Sequence, residues 1–349
     1  MTTAADVAAA PRPPLGLDLY SLRSQGWTAL EAMDFCRDEG VEVAHFPMPS
    51  FLGSLEPANL AAIRAYAHER DLTLEVGMGS ICESSTSFAR DAGPAVDQLE
   101  RMLEAAHAVG SSLVRCFLGS SEDREGSGAG TPLAPQSPTS LLGHIRATVA
   151  VCRAVADRAR SLGVRVAIEN HVGDLHSTEL RMLVEEAGPD FVGALLDTGN
   201  ATWALETPDS ALETLGSSVI ATHVRDSAVW EVPDGIAVQW CPLGRGNVGI
   251  GTLVDRLRDL APAAAFTLEI INHPKPRVFA WRQPGFWRAY ETIPANGFGR
   301  LLEAARSGTP YPGPRPDNRS TAEIELDDVR DSLRYAREIL GLGRPPARA

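Results

Sequence analysis

Along the chain, short runs of Val, Ile, Leu and Ala alternate with longer segments in which apolar residues recur every third or fourth position. A short continuous apolar run is what a strand buried on both faces of a parallel sheet requires, and the longer pattern is the stripe of a helix packed against that sheet. LGLDLY (15–20), VEVAHF (41–46), LTLEVGM (72–78) and SSLVRCFLG (111–119) predict four strands. VRVAIEN (164–170), VGALLDTGN (192–200), VIATHVRD (219–226) and AFTLEI (265–270) predict four more. Between them lie helical patterns such as TALEAMDFCRDEG and GPAVDQLERMLEAAHAVG, where Gly40 and Gly110 can end the helix. Eight strands alternating with helices predict an α/β fold, a (β/α)8 TIM barrel.

Three stretches interrupt the alternation. GSSEDREGSGAGTPLAPQSP (119–138) is too rich in Gly, Ser and Pro to pack, and it leaves the functional end of the fourth strand as a loop or lid. DSAVWEVPDGIAVQWC alternates apolar residues around Asp234 and Gly235, predicting a hairpin, and LGRGNVGIG then leads to the helix pattern TLVDRLRDL. NHPKPRVFAWRQPGFWRAY (272–290) places Lys275, Arg277, Arg282 and Arg288 among Trp281, Phe286 and Trp287, and is expected to fold back over the barrel mouth. The expected organisation is a loose arm over 1–14, the barrel over 15–272 and a C-terminal extension over 273–349 packing on it.

Composition narrows the setting. The 349 residues are 44% hydrophobic and 22% charged, and no apolar run approaches the roughly 20 residues of a membrane span. The first residues lack a basic segment followed by an apolar core, so no secretory signal is read there. Five scattered cysteines without a CxxC pair predict reduced thiols and a cytoplasmic setting. A net charge of −13 opposes general attraction to nucleic acid, so the expected partner is a small molecule; a homo-oligomer is compatible with all of this.

The last four predicted strands carry the chemistry. They end, in order, at Glu169, Asp197, His223 and Glu269. In a (β/α)8 barrel, side chains from the C-terminal ends of several strands converge on the active site. A single acid there also serves as a helix N-cap or a surface charge. Three converging carboxylates repel one another unless a cation or shared protons lie between them. Three carboxylates and one imidazole suit one divalent ion, Mn2+ first, with Mg2+ or Co2+ also fitting, better than structural zinc, which favours thiolates. Arg115 and Arg225, near the same strand ends, are candidates for binding a substrate oxygen or for pairing with a neighbouring acid. His45 and His176 are weaker candidates.

The set IEN, LDTGN, THVRD and LEI, with PLGRGNVGIG between the last two, resembles the sugar isomerase/epimerase superfamily with a xylose-isomerase-like barrel. The resemblance extends from about Leu15 to Ile271. That family includes ketose 3-epimerases, inosose dehydratases, hydroxypyruvate isomerases, decarboxylases of 3-oxo sugar acids such as 3-oxoisoapionate, and endonucleases. It implies that Glu169, Asp197, His223 and Glu269 bind the metal and that Glu169 and Glu269 also act as the catalytic acid/base pair. Asn170 and His171 follow the first ligand as in many relatives. Asn200 stands where several epimerases have histidine, three positions after the aspartate. The expected substrate is a carbohydrate, contacted by Arg115, Asn170, His171, Asn200 and Arg225.

Three activities are expected to compete. An isomerase or epimerase of a keto sugar or polyol would proceed through a metal-stabilised enediolate, with the glutamate pair moving protons. A lyase decarboxylating a 3-oxo sugar acid would need cations to receive the carboxylate, a role open to Lys275 and Arg277. A DNA-repair endonuclease fits less well. The family's endonucleases use many histidines, whereas VGMGS has none at the third strand end.

Overall fold

The computed structural model describes residues 12–126, 139–271, 275–313 and 318–344. The first eleven residues of the expected arm, positions 127–138 of the expected lid and the boundary at 272–273 lie outside the described residues.

Among the described residues eleven strands form in chain order. They are β1 (Leu15–Asp18), β2 (Val43–Phe46), β3 (Thr73–Ser80), β4 (Leu113–Phe117), β5 (Arg165–Glu169) and β6 (Val192–Asp197), then β7 (Val219–Val224), β8 (Asp226–Val232), β9 (Gly235–Cys241), β10 (Phe266–Leu268) and β11 (Arg277–Phe279). Eight close into a parallel barrel in the order β1, β10, β7, β6, β5, β4, β3, β2. The barrel strands are mostly apolar because both faces are covered: every residue of VGALLD in β6 is buried. Helices end where expected, with Gly40 (φ 66°) and Gly110 (φ 86°) taking the left-handed conformation that glycine accepts without strain.

Two elements differ from their sequence patterns. The stretch SLLGHIRATVAVCRAVADRARSLG (140–163), whose pattern predicts one continuous helix, forms two, Leu141–Ala154 and Ala156–Leu162, broken where Val155 leaves helical geometry (φ −97°, ψ 4°) with its side chain wholly buried. The eighth barrel strand stops at Leu268, so Glu269 stands one residue beyond it; its N–H still donates to Val224 O at 3.2 Å, which fixes its position.

The remaining strands sit beside the barrel. β8 and β9 form the expected hairpin through Pro233 and Asp234, and β11 adds antiparallel to β9. LGRGNVGIG is anchored from below, because the Asp226 carboxylate accepts from the N–H groups of Gly244 (3.0 Å) and Gly246 (2.9 Å) and so ties the loop to the start of β8. After β11, Trp281 and Trp287 pack edge-on against Phe298 of the helix Ala295–Ser307, with ring centroids 5.6 and 4.9 Å away. The helix Thr321–Glu338 buries Val329, Leu333 and Ala336, and its Glu325 accepts from Ser24 N–H and Oγ just after β1, both at 3.0 Å. Among the described residues no helix is long and apolar enough to cross a membrane.

Candidate metal centre

Register brings the candidate ligands together. β6 pairs with β7 so that Asp197 lies opposite His223, and β5 ends at Glu169 two strands away. Glu169, Asp197, His223 and Glu269 each offer a ligand atom, and these atoms all lie within 4.8 Å of one another. The first three side chains are fully buried and Glu269 is nearly so. Asp197 satisfies both readings of an acid at a strand end. Its Oδ1 caps the next helix by accepting from Asn200 N at 2.8 Å, and Oδ2 faces the cluster.

Two arginines neutralise the acids from the sides. Arg115 pairs with Glu169, and one Arg225 nitrogen, Nη2, contacts both Asp197 Oδ2 and Glu269 Oε2. Both carry a second contact, Arg115 over Phe117 (4.9 Å) and Arg225 over Trp240 (4.4 Å). Burial alone would raise the Glu169 and Glu269 pKa values. For Glu169 the Arg115 charge and His223 outweigh it and hold the carboxyl down at about 2, and for Glu269 Arg225 and His223 hold it well below the ordinary range. Asp197 goes the other way: burial raises it and Arg225 does not fully compensate. Burial would lower the His223 pKa, but the carboxylates of Glu169 and Glu269 carry it well above its ordinary value.

The donor set fits a divalent ion. His223 Nδ1 stands 3.1 Å from Glu269 Oε2 and 3.5 Å from Glu169 Oε1, buried and without a hydrogen-bond partner. Once deprotonated, a nitrogen in that place beside two carboxylates is a ligand a shared cation would satisfy. Oxygen donors with one imidazole and no thiolate match Mn2+, Mg2+ or Co2+.

The other candidates are placed as follows. His171 lines the cavity, stacked on Phe117 at 3.8 Å, with its Nδ1 2.8 Å from Gly119 O; burial lowers its pKa to about 4. Asn200 donates to Glu169 Oε1 at 3.2 Å. Asn170 turns to the backbone of Asp197 instead of the cavity. Arg277 bonds Ser121 Oγ and Glu125, both at 2.6 Å, and lies over Trp203, while Lys275 is exposed. His176 caps the helix Ser177–Ala187.

Above the cluster opens a cavity of about 600 Å³ whose walls include Tyr20, Arg23, Phe117, Trp203 and Trp240. The sequence pattern does not single these out, because Tyr20 and Arg23 come from the turn of helix after β1, Phe117 from the end of β4, Trp203 from the short helix after β6 and Trp240 from the hairpin, and only the tertiary fold brings them together. The pattern also passes over Asp18 and Glu75, which share one register with the weaker candidate His45 across β1, β2 and β3. The available signal was one polar residue inside each of three apolar runs.

The chain belongs to the xylose isomerase-like TIM barrel family, whose pattern it matches over residues 33–290. It is similar to the 3-oxo-isoapionate decarboxylase of Pectobacterium atrosepticum, with 24% identity over 225 residues, 64% of this chain and 69% of that protein. A stretch of 103 residues is 30% identical to the uncharacterized protein YihM of Escherichia coli K12; it covers 30% of this chain and only 31% of that protein's length. Among solved structures, a D-psicose 3-epimerase crystallised in the presence of D-fructose superposes with a TM-score of 0.59 at 18% identity, covering 94% of this chain and 99% of the other. A xylose isomerase-like barrel from Mycobacterium smegmatis in complex with magnesium superposes with a TM-score of 0.56 at 14% identity, covering 84% and 97%.

Proposed function

We propose that this protein is a divalent-metal-dependent isomerase or epimerase of a keto sugar or related polyol. The observation that carries the reading is the meeting of Glu169, Asp197, His223 and Glu269 at one buried point on the floor of an aromatic-walled cavity. These four residues would hold the ion, Mn2+ in the first instance. When bound, it would polarise a substrate carbonyl and offset the charge of the enediolate formed by proton loss at the adjacent carbon.

The chain's own groups supply the rest. Glu169 and Glu269 come from β5 and from the residue after β10, so their carboxylates approach the same point from different sides and can exchange a proton with either face of a carbon held there. Both are kept ionised by the arginines beside them, which is the state a base requires. Trp203 and Trp240, stacked with centroids 4.5 Å apart, and the Phe117–His171 pair wall the cavity and keep bulk water from the exchanging proton. The five cysteines are buried and unpaired, which supports a reduced, cytoplasmic setting.

A second reading is favoured by one observation. The cavity walls include Arg23, Arg115 and Arg225 but, among the described residues, a single acid, Glu269. Arg115 and Arg225 are paired with the carboxylates of the floor, and an ion bound there would leave them to receive an anionic substrate, which decarboxylation of a 3-oxo sugar acid, the activity named for the Pectobacterium relative, would use. One experiment separates the two. Mn2+-loaded protein is incubated in D2O with panels of ketoses and 3-oxo sugar acids, followed by NMR with CO2 detection. A new stereoisomer carrying solvent deuterium selects the isomerase, release of CO2 selects the lyase, and turnover undiminished after chelation removes both.

A further inference from the structure

A line of titratable side chains runs from the candidate centre across β1, β2 and β3. Asp18 ends β1, His45 lies beside it on β2, Glu75 beside that on β3, and their register is level. Asp18, His45 and His223 are fully buried. Asp18 Oδ1 is fixed by Tyr20 N–H at 2.7 Å. Its other oxygen, Oδ2, has no hydrogen-bond partner and faces His223 Nε2 at 3.3 Å, with His45 Nε2 farther off at 3.9 Å. His45 is held on its far side by Glu75, 3.2 Å from Nδ1, and meets the His223 ring edge-on with centroids 4.9 Å apart.

We infer that Asp18 is the positioning residue of His223: it keeps a proton on Nε2 and so leaves the Nδ1 lone pair directed at the ion site. This rests on the metal reading above. An imidazole ligand presents only one nitrogen, and the group bound to the other nitrogen decides which one and in what orientation. Here Nδ1 is the nitrogen among Glu169 and Glu269, so Nε2 must carry the proton, and a carboxylate oxygen lacking any other partner stands 3.3 Å from it. A slight turn of the ring aligns the bond. At 3.9 Å His45 is beyond hydrogen-bond distance of that oxygen. It acts as packing, its edge-on contact limiting how far the His223 ring can swing.

The test is a double-mutant cycle on metal affinity, with a proton signal as an independent readout. Mn2+ affinity is measured by calorimetry for wild type, Asp18→Asn, His223→Ala and the double variant. The Nε2–H resonance of His223 is followed by NMR in protein carrying 15N-histidine, free of metal and loaded with Mg2+, and assigned by its loss in His223→Ala. Asp18→Asn should weaken Mn2+ binding about 10- to 100-fold in the wild-type background and leave it unchanged in the His223→Ala background. It should also shift the Nε2–H signal upfield or lose it to solvent exchange. An equal loss of affinity in both backgrounds would overturn the inference, as would an unmoved Nε2–H signal. So would two ions per chain with one lost in His45→Gln, since Asp18, His45 and His223 would then form a metal site of their own. If wild type binds no ion, the metal reading fails by itself, and the proton signal of the metal-free protein still decides whether Asp18 holds Nε2. Asp18→Glu, which keeps the charge, should recover part of the lost affinity.

Discussion

Asn170 and Asp197 hold each other at two points: Asn170 Nδ2 donates to Asp197 O at 2.9 Å, and Asp197 N–H donates to Asn170 Oδ1 at 2.8 Å. The ring joins the C-terminal ends of β5 and β6, so the spacing of Glu169 and Asp197 is set by a covalent neighbour of one and the backbone of the other. Asn170→Ala removes both bonds and strands two buried backbone groups. We expect a loss of about 2 to 4 kcal/mol in stability from two such bonds, measured by urea denaturation, together with weaker Mn2+ binding. Unchanged affinity in a folded Asn170→Ala protein would show that the ring does not set the ligand spacing.

How far the sequence reached follows from which residues announce themselves locally. Strands such as VGALLD are legible because burial on both faces demands an unbroken apolar run, and the three acids and the histidine stand out at their ends. Asn170 also stood out, by its place after Glu169, but its partner is a backbone group 27 residues away, and no local pattern encodes that. Asp18 and Glu75 are illegible, and His45 only a weaker candidate, for a related reason: each is a lone polar residue in a strand, and only register makes them a line. Trp203 and Trp240 read as ordinary apolar residues until the hairpin is docked.

Arg225 and a metal ion would draw on the same two oxygens, Asp197 Oδ2 and Glu269 Oε2. Without an ion, the guanidinium is the nearest counter-charge. Arg225→Gln should therefore destabilise the metal-free protein by about 3 to 5 kcal/mol, the scale for breaking a buried pair. The stabilisation gained on adding Mn2+ should be larger in the variant than in wild type. Thermal melts with and without Mn2+ check this, and an equal gain in both proteins would show that arginine and ion do not compete.

Binding of the ion should release protons. The carboxylates of Glu169 and Glu269 raise the His223 pKa, so in the metal-free state the imidazole is charged at neutral pH, and Nδ1 must lose its proton before it can act as a ligand. Apparent Mn2+ affinity should rise with pH from mildly acid to mildly alkaline conditions, and calorimetric heats should depend on the ionisation enthalpy of the buffer. Heats independent of buffer would show that no net proton leaves and that the imidazole is not charged in the metal-free protein. Bound ion should also stabilise the fold, by about 2.7 kcal/mol at a concentration 100 times Kd, and raise the melting temperature accordingly.

Glu206 offers a prediction independent of any ion. Its carboxyl is fully buried, accepting from Ser177 N–H at 2.7 Å and Ser177 Oγ at 2.6 Å, with His176 Nε2 3.2 Å away. Burial pushes its pKa up to about 8 against the pull of the Ser177 donors, whereas in the unfolded chain an ordinary glutamate titrates near about 4.3. Between those values the folded state keeps a proton that the unfolded state gives up, so stability falls as pH rises through that window. The slope approaches roughly 1.4 kcal/mol per pH unit where only the folded state is protonated. Glu206→Gln cannot ionise and retains an acceptor for Ser177 N–H. Its stability from urea denaturation should decline less than that of wild type between about pH 5 and pH 8.5, the gap widening toward alkaline pH, and the remaining slope comes from other buried acids such as Asp174, whose pKa burial raises to about 8. Parallel profiles would mean that Glu206 is ionised in the folded protein throughout, held so by the Ser177 donors.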